Sequence, residues 1–258
     1  MSGSWSYWEG VRAGGGVPTD RPLAELTVEL TQMLGDPDPE VRYDTAVTTL
    51  LTWIAAGVYD DLLVGLGDGM ASGLGIHLNA ERRTASAQVL TGCLARAEER
   101  ALLPDAGLLR WADALLAWFS REPGADAIEP GADALAQVAR SSCLGAAEEV
   151  VLLETVVDRV LESERLDLAD LDALVGVVLT ILRLDLVAVE DVEPLLVRVG
   201  RAALADRGRE RVAEGFLRSL YVQLALSRNP VGTRADLVLL LVDLLREINP
   251  TLGERPVR

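Results

Sequence analysis

The stretch LGDPDPEVRYDTAVTTLLTWI, Leu34 to Ile54, decides the fold class. Asp38 followed by Pro39 reads as a helix start. A carboxylate can accept the first free backbone N–H groups, and proline at the first helical position gives up only an N–H that has no partner there. Val41, Ala46 and Leu50 fall on the core-facing side of the helix that follows, and the alanine lets a neighbouring helix come close. Arg42 is placed to reach back to the carboxylates of the turn. Gly57, just past the last periodic residue, is the expected stop.

The same punctuation continues outward. Helices are expected to open near Pro22, Asp38, Asp60, Asn79, Asp105, Ala132, Ala146, Asp167, Val189, Asp206 and Thr233. Leu237, Leu240, Leu241, Leu244, Leu245 and Ile248 repeat at helical spacing, and Val212, Phe216, Leu220 and Leu224 lie four apart. Each set makes one stripe on a helix and would scatter over both faces of a strand. The expectation is an all-α chain of about eleven antiparallel helices, with starts about every twenty residues. Two such helices give a repeat near 40 residues, the HEAT and armadillo range, so the expected architecture is a HEAT-like stack, an α-solenoid. Residues 1–21 read as an N-terminal tail with aromatics and 22–258 as a single domain. The clearest interior break is REPGADAIEPGADA, Arg121 to Ala134, with two prolines and two glycines; it reads either as a loop between stacked repeats, the favoured reading, or as a break between sub-stacks near 122–131.

Composition removes several function classes. The chain has 258 residues, 24 basic residues and no lysine; every base is arginine. P-loop, protein-kinase and Schiff-base chemistry each need a lysine. There is one histidine, His77, so neither a zinc site of several histidines nor any serine or cysteine device without His77 can form within the chain. Cys93 and Cys143 form no C-x-x-C pair and suit a reducing cytoplasm. The net charge of −16 opposes binding to phosphate backbones. The arginines at 82–83 and at 207, 209 and 211 have acids beside them and read as solvated helix faces. The most apolar stretch, Leu174 to Leu186, is interrupted by Thr180, Arg183 and Asp185 and is too short to span a bilayer. The N-terminus lacks a basic region followed by an apolar one, so cytoplasm is the expected compartment.

The chain resembles the bacterial domain-of-unknown-function 2785 family. The resemblance runs through DRPLAEL from Asp20, LGDPDPEVR, TWIAAGVYDDLL, ERRTASAQVL, GADALAQVARSSCLGAAEEVVLLETVVDRVL, FLRSLYVQLAL and INP. It implies an all-helical, HEAT-like fold and no established activity. Family members carry a Gly-Lys-Gly-Trp-Ala-His stretch with a second histidine soon after, ahead of the segment beginning here at Gly131. This chain has EPGADAIEPGADAL there, so a diverged member without that histidine pair is implied.

The remaining constellations favour structural roles. Asp167, Asp170 and Asp172 lack the alternating oxygen ligands of a calcium loop and suit a helix N-terminus. The glycines of Gly65–Gly75 do not follow a strand, as a dinucleotide fingerprint requires, and suit close helix packing. Trp53, Trp111 and Trp118 lie at core positions. Trp5, Tyr7 and Trp8 stand in a polar tail that either folds back over an apolar groove, the favoured reading, or docks on a partner. Together with His77, Arg82 and Arg83 they form the candidate binding surface. No catalytic residue, cofactor or metal is expected. The expected role is binding another protein, basic or neutral, with no nucleic acid or membrane. The alternative is a small apolar molecule, or an enzyme acting on one, in a pocket between helices that uses Asp and Arg side chains.

Overall fold

The computed structural model describes residues 2–205, 207–227 and 231–250, with side chains for all of these but 2–6 and 207–209. The described residues form twelve α-helices and no strand. They are α1 (Ser2–Gly14), α2 (Leu23–Met33), α3 (Thr48–Ala55), α4 (Leu63–Ser72), α5 (Ala80–Arg100), α6 (Asp105–Phe119) and α7 (Ile128–Ala139). There follow α8 (Ala146–Glu162), α9 (Leu168–Arg183), α10 (Val189–Ala205), α11 (Arg207–Leu226) and α12 (Arg234–Ile248). The count corrects the expected eleven. The added helix is α1, built from residues that the sequence places in a tail. A second correction concerns α7, which starts at Ile128 rather than Ala132 and holds Pro130 in its first turn. Proline is tolerated there because a first-turn N–H has no helical acceptor.

The deciding stretch is helical, with one feature that spacing does not reveal. Glu40–Val47 is a π-helix of 8 residues that continues into α3. Asp38 caps it as expected, accepting from the Glu40 N–H at 2.9 Å. The wider turn brings Arg42, Thr45, Ala46 and Val47 into the core and leaves Val41 half-buried. Arg42 does not reach the turn's carboxylates: its Nη1 donates to the Asp36 carbonyl, and its guanidinium stacks 4.6 Å from the centre of the Tyr43 ring. Gly57 takes φ 78°, the left-handed conformation that ends a helix, and the Val58 N–H closes the turn on the Trp53 carbonyl.

The chain divides into two compact units, Met1–Val138 and Ala139–Arg258, the division falling at the end of α7. In the first, α5 packs against α3, α4 and α6, and α4 also meets α6. Trp53, Trp111, Trp118, Phe119 and Tyr59 fill the core. Gly67 lets α4 approach α6 closely, since a Cβ there would sit 2.1 Å from Trp111. Trp111 in turn donates its indole N–H to Asp68 at 2.8 Å, so the apolar body is buried and the polar edge is satisfied. In the second unit α8 meets α9, α10 and α11, while α10 meets α12 and α9 meets α11. Asp167 caps α9 by accepting from the Asp170 N–H at 2.9 Å. No single helix among the described residues is long and apolar enough to cross a membrane.

Candidate functional site: an acidic cleft

The six residues expected to form a binding surface do not come together as one. The Trp5 side chain lies outside the described residues. Trp8 is fully buried and donates to Glu29 at 2.9 Å, and Arg21 pairs with the same carboxylate at 2.8 Å. Tyr7 donates to Asp20 at 3.1 Å with the Arg21 guanidinium over its ring. The tail therefore folds back as α1, and Trp8 belongs to the core. Arg82 donates from Nη1 to the Thr31 carbonyl, and burial lowers its pKa. Arg83 makes a two-pronged bond to the buried Glu122, at 2.6 and 2.9 Å, which raises the arginine's pKa. Both arginines tie helices together rather than face a ligand. His77 is exposed next to Gly75, with no serine, cysteine or carboxylate bonded to it among the described residues. Cys93 is buried, and desolvation pushes its thiol up to about 12, so it is not poised as a nucleophile.

The first unit holds a cleft of about 670 Å³ that the sequence does not assemble. One wall is the π-helix, which contributes Arg42, Tyr43, Asp44 and Val47. The opposite wall is the start of α5, where Glu81, Thr84 and Gln88 follow one helical face. The third side is the connection from Glu122 through Asp126 to Glu129 and Pro130, at the start of α7. Asp44, Glu81, Asp126 and Glu129 are exposed along its rim, and none is in an ion pair among the described residues. Beneath them Thr84 and Glu122 are buried. Glu122 is fully engaged, holding Arg83 and accepting from the Trp118 indole at 3.2 Å. Arg42 Nε and Gln88 Oε1 are buried with no hydrogen-bond partner among the described residues. A smaller cleft of about 340 Å³ adjoins, lined by Val11, Arg12, Thr52 and Trp53, and shares Asp44 and Thr48 with the larger one.

The sequence did carry a signal for this site. Glu81, Thr84 and Gln88 set polar groups on one face of α5, a helix that buries several neighbouring positions. Asp44 and Asp126 lie far apart in the chain, and only the fold brings them to the same opening.

The second unit has a groove of about 800 Å³ between the start of α9 and α11. Its apolar lining comes from Leu166, Leu168, Leu171 and Val222, with Asp172, Arg211 and Arg218 alongside. Asp172 accepts from Ser219 at 2.5 Å and from Gln223 at 3.1 Å, which ties α9 to α11. Among the described residues no group of three or more His, Cys, Asp or Glu side chains is placed to hold a metal ion. No family model, curated protein or solved structure matches this chain.

Proposed function

We propose that this protein is a helical-repeat module that binds another protein, basic or neutral in charge, and acts as a scaffold rather than as an enzyme. The observation that carries the reading is the open acidic cleft of the first unit, with four exposed carboxylates along its rim that form no ion pair among the described residues. In a chain of net charge −16, those groups attract a cationic partner and repel nucleic acid. A HEAT-like stacking of helix pairs is part of the proposal. In the second unit α8 meets α10 and α10 meets α12, α9 meets α11, and the consecutive helices α8 and α9, α10 and α11, and α11 and α12 pack together, which supports such stacking. A diverged member of the domain-of-unknown-function 2785 family would share that design.

The test is affinity capture from the native lysate with the full chain and with the charge-reversed double variant Asp44→Arg/Asp126→Arg. The expected result is a protein retained by the first and lost by the second. Equal capture by both variants would remove the cleft from the reading. The groove between α9 and α11 favours a second reading, a small apolar ligand held between helices with Asp172, Arg211 and Arg218 at its edge. Native mass spectrometry of the purified protein, showing an added small-molecule mass that disappears in Leu171→Arg, would support that reading instead.

A further inference from the structure

We infer that the smaller cleft of the first unit, lined from α1 and α3, binds a free α-amino acid, its carboxylate held between the Trp53 indole N–H and the Arg12 guanidinium and its ammonium group by Asp44. This goes beyond the protein-binding reading above. It is a small-molecule site, and Arg12, Thr49 and Trp53 take no part in lining the larger cleft.

The chain repeats one device three times. Trp8 donates its indole N–H to Glu29, and Arg21 pairs with that carboxylate at 2.8 Å. Trp111 donates to Asp68, which Arg110 holds at 2.8 Å. Trp118 donates to Glu122, which Arg83 holds at 2.6 Å. Each time, one carboxylate sits between an indole and a guanidinium. Trp53 is the fourth tryptophan with a described side chain, and it lines the smaller cleft together with Arg12. Among the described residues its N–H has no acceptor, and Arg12 is exposed and forms no ion pair. Here the chain supplies the indole and the guanidinium, and no acid of its own joins them.

Burial along α3 gives a second, independent observation. Trp53 is 1 % exposed and Thr49 5 %. They stand four residues apart and so are neighbours on one face of the helix. Thr48 and Thr52 turn their hydroxyls back onto the Tyr43 and Thr48 carbonyls, at 2.9 and 2.7 Å. The Thr49 hydroxyl makes no such bond among the described residues. Unlike Arg42 Nε and Gln88 Oε1, neither Thr49 Oγ1 nor Trp53 Nε1 is among the polar atoms sealed from solvent. Two side chains that are more than nine-tenths buried thus keep an unbonded polar atom open, and the opening that both line is this cleft. Buried polar groups are nearly always bonded, so the pair points to a ligand that accepts.

The lining sets the ligand's class. An indole N–H and a guanidinium only donate and a hydroxyl can, which suits the two oxygens of a carboxylate. Asp44, from the π-helix, accepts and forms no ion pair among the described residues, which suits an ammonium group. Val11 and the Trp53 ring add an apolar side for a short aliphatic group. A zwitterion also escapes the repulsion that a net charge of −16 exerts on a simple anion. The volume, about 340 Å³, falls at the small end of the range for small-molecule sites.

The experiment is isothermal titration of the full chain with L-alanine, L-valine and L-leucine. Isovalerate and isobutylamine, which are valine without its amine and without its carboxylate, serve as comparison ligands. At least one of the three amino acids is expected to bind, one per chain, and both truncated compounds should bind about tenfold or more weakly than the tightest of the three. Arg12→Gln, Asp44→Asn and Thr49→Val should each weaken amino-acid binding about tenfold. Trp53→Phe keeps a ring and removes the N–H, and should do the same; the nearly isosteric Thr49→Val carries the test if that core change does not fold. Arg121→Gln makes the same charge change as Arg12→Gln at an exposed site after α6 and should stay within about twofold. Failure of all three amino acids to bind the wild type would overturn the inference. So would binding left unchanged by Arg12→Gln and Thr49→Val, or isobutylamine binding as tightly as valine. Capture of a protein from lysate is expected to survive Arg12→Gln and Thr49→Val, so the two readings stand or fall separately.

Discussion

Glu122 and Glu149 are both buried glutamates, and their surroundings give them opposite consequences. Glu122 accepts both bonds of Arg83 and the indole of Trp118. Removing one member of a buried ion pair leaves the other charge uncompensated, at a cost of about 3–5 kcal/mol. Glu122→Ala is therefore expected to lose that much stability in urea unfolding, with a smaller loss in the double variant Glu122→Ala/Arg83→Ala. Glu149 is wholly shielded from solvent, neither of its carboxylate oxygens has a hydrogen-bond partner among the described residues, and burial pushes its pKa up to about 7, with the neighbouring Glu148 adding to the shift. Between the ordinary glutamate value and 7, the folded state holds a proton that the unfolded chain has released, so stability falls as pH rises through that window. Across it, the contribution of Glu149 amounts to about 3 kcal/mol, all of it felt above the folded-state pKa. Unfolding curves of the wild type and Glu149→Gln should diverge from about pH 4.5 to 7 and run parallel above it. Curves parallel throughout would contradict the assignment. The sequence shows these residues as two acids among many, because burial depends on which helix packs over each and periodicity alone does not supply that.

Among the elements, α1 and the π-helix show where local reading stops. The segment SGSWSYWEGVRAG is rich in serine and glycine, poor helix formers, and gives no start signal. It is helical in the fold, and the packing of Trp8 and Val11 supplies what propensity does not. Trp8→Ala is expected to cost about 3–5 kcal/mol. Deleting residues 1–16 should lower the melting temperature and raise the binding of an apolar dye; an unchanged melt would show that α1 contributes nothing to the core. The π-helix is hidden for another reason: Ala46 and Leu50 keep a helical period, and a hydrogen-bonded step longer by one residue shows only in backbone bonding and in the burial of Arg42. The caps at Asp38, Asn79 and Asp167 were legible, because a short polar side chain before an apolar run has one strong local use. Close helix contact was partly legible in the glycines. Gly67→Ala should cost about 1–3 kcal/mol by overpacking against Trp111, as read from the same unfolding measurement.

For the whole molecule, composition carried most of what could be known early. The absence of lysine, the single histidine and the charge of −16 leave little equipment for nucleophilic or phosphate chemistry. They leave an acidic surface whose use depends on where its carboxylates gather. That gathering was not legible, since Asp44, Glu81, Asp126 and Glu129 become neighbours only through the packing of the first unit. The second unit offers a different opening, apolar with charged edges, between α9 and α11. The central claim is that the first unit's cleft receives a protein partner. Its most direct test is site-specific photocrosslinking in the native cell. A benzoylphenylalanine at position 126 on the cleft rim is compared with one at position 193 on the exposed side of α10. The account predicts a discrete higher-mass protein adduct from position 126, abolished by Asp44→Arg, and none from position 193. Adducts of equal yield from both positions, or none from 126, would contradict it.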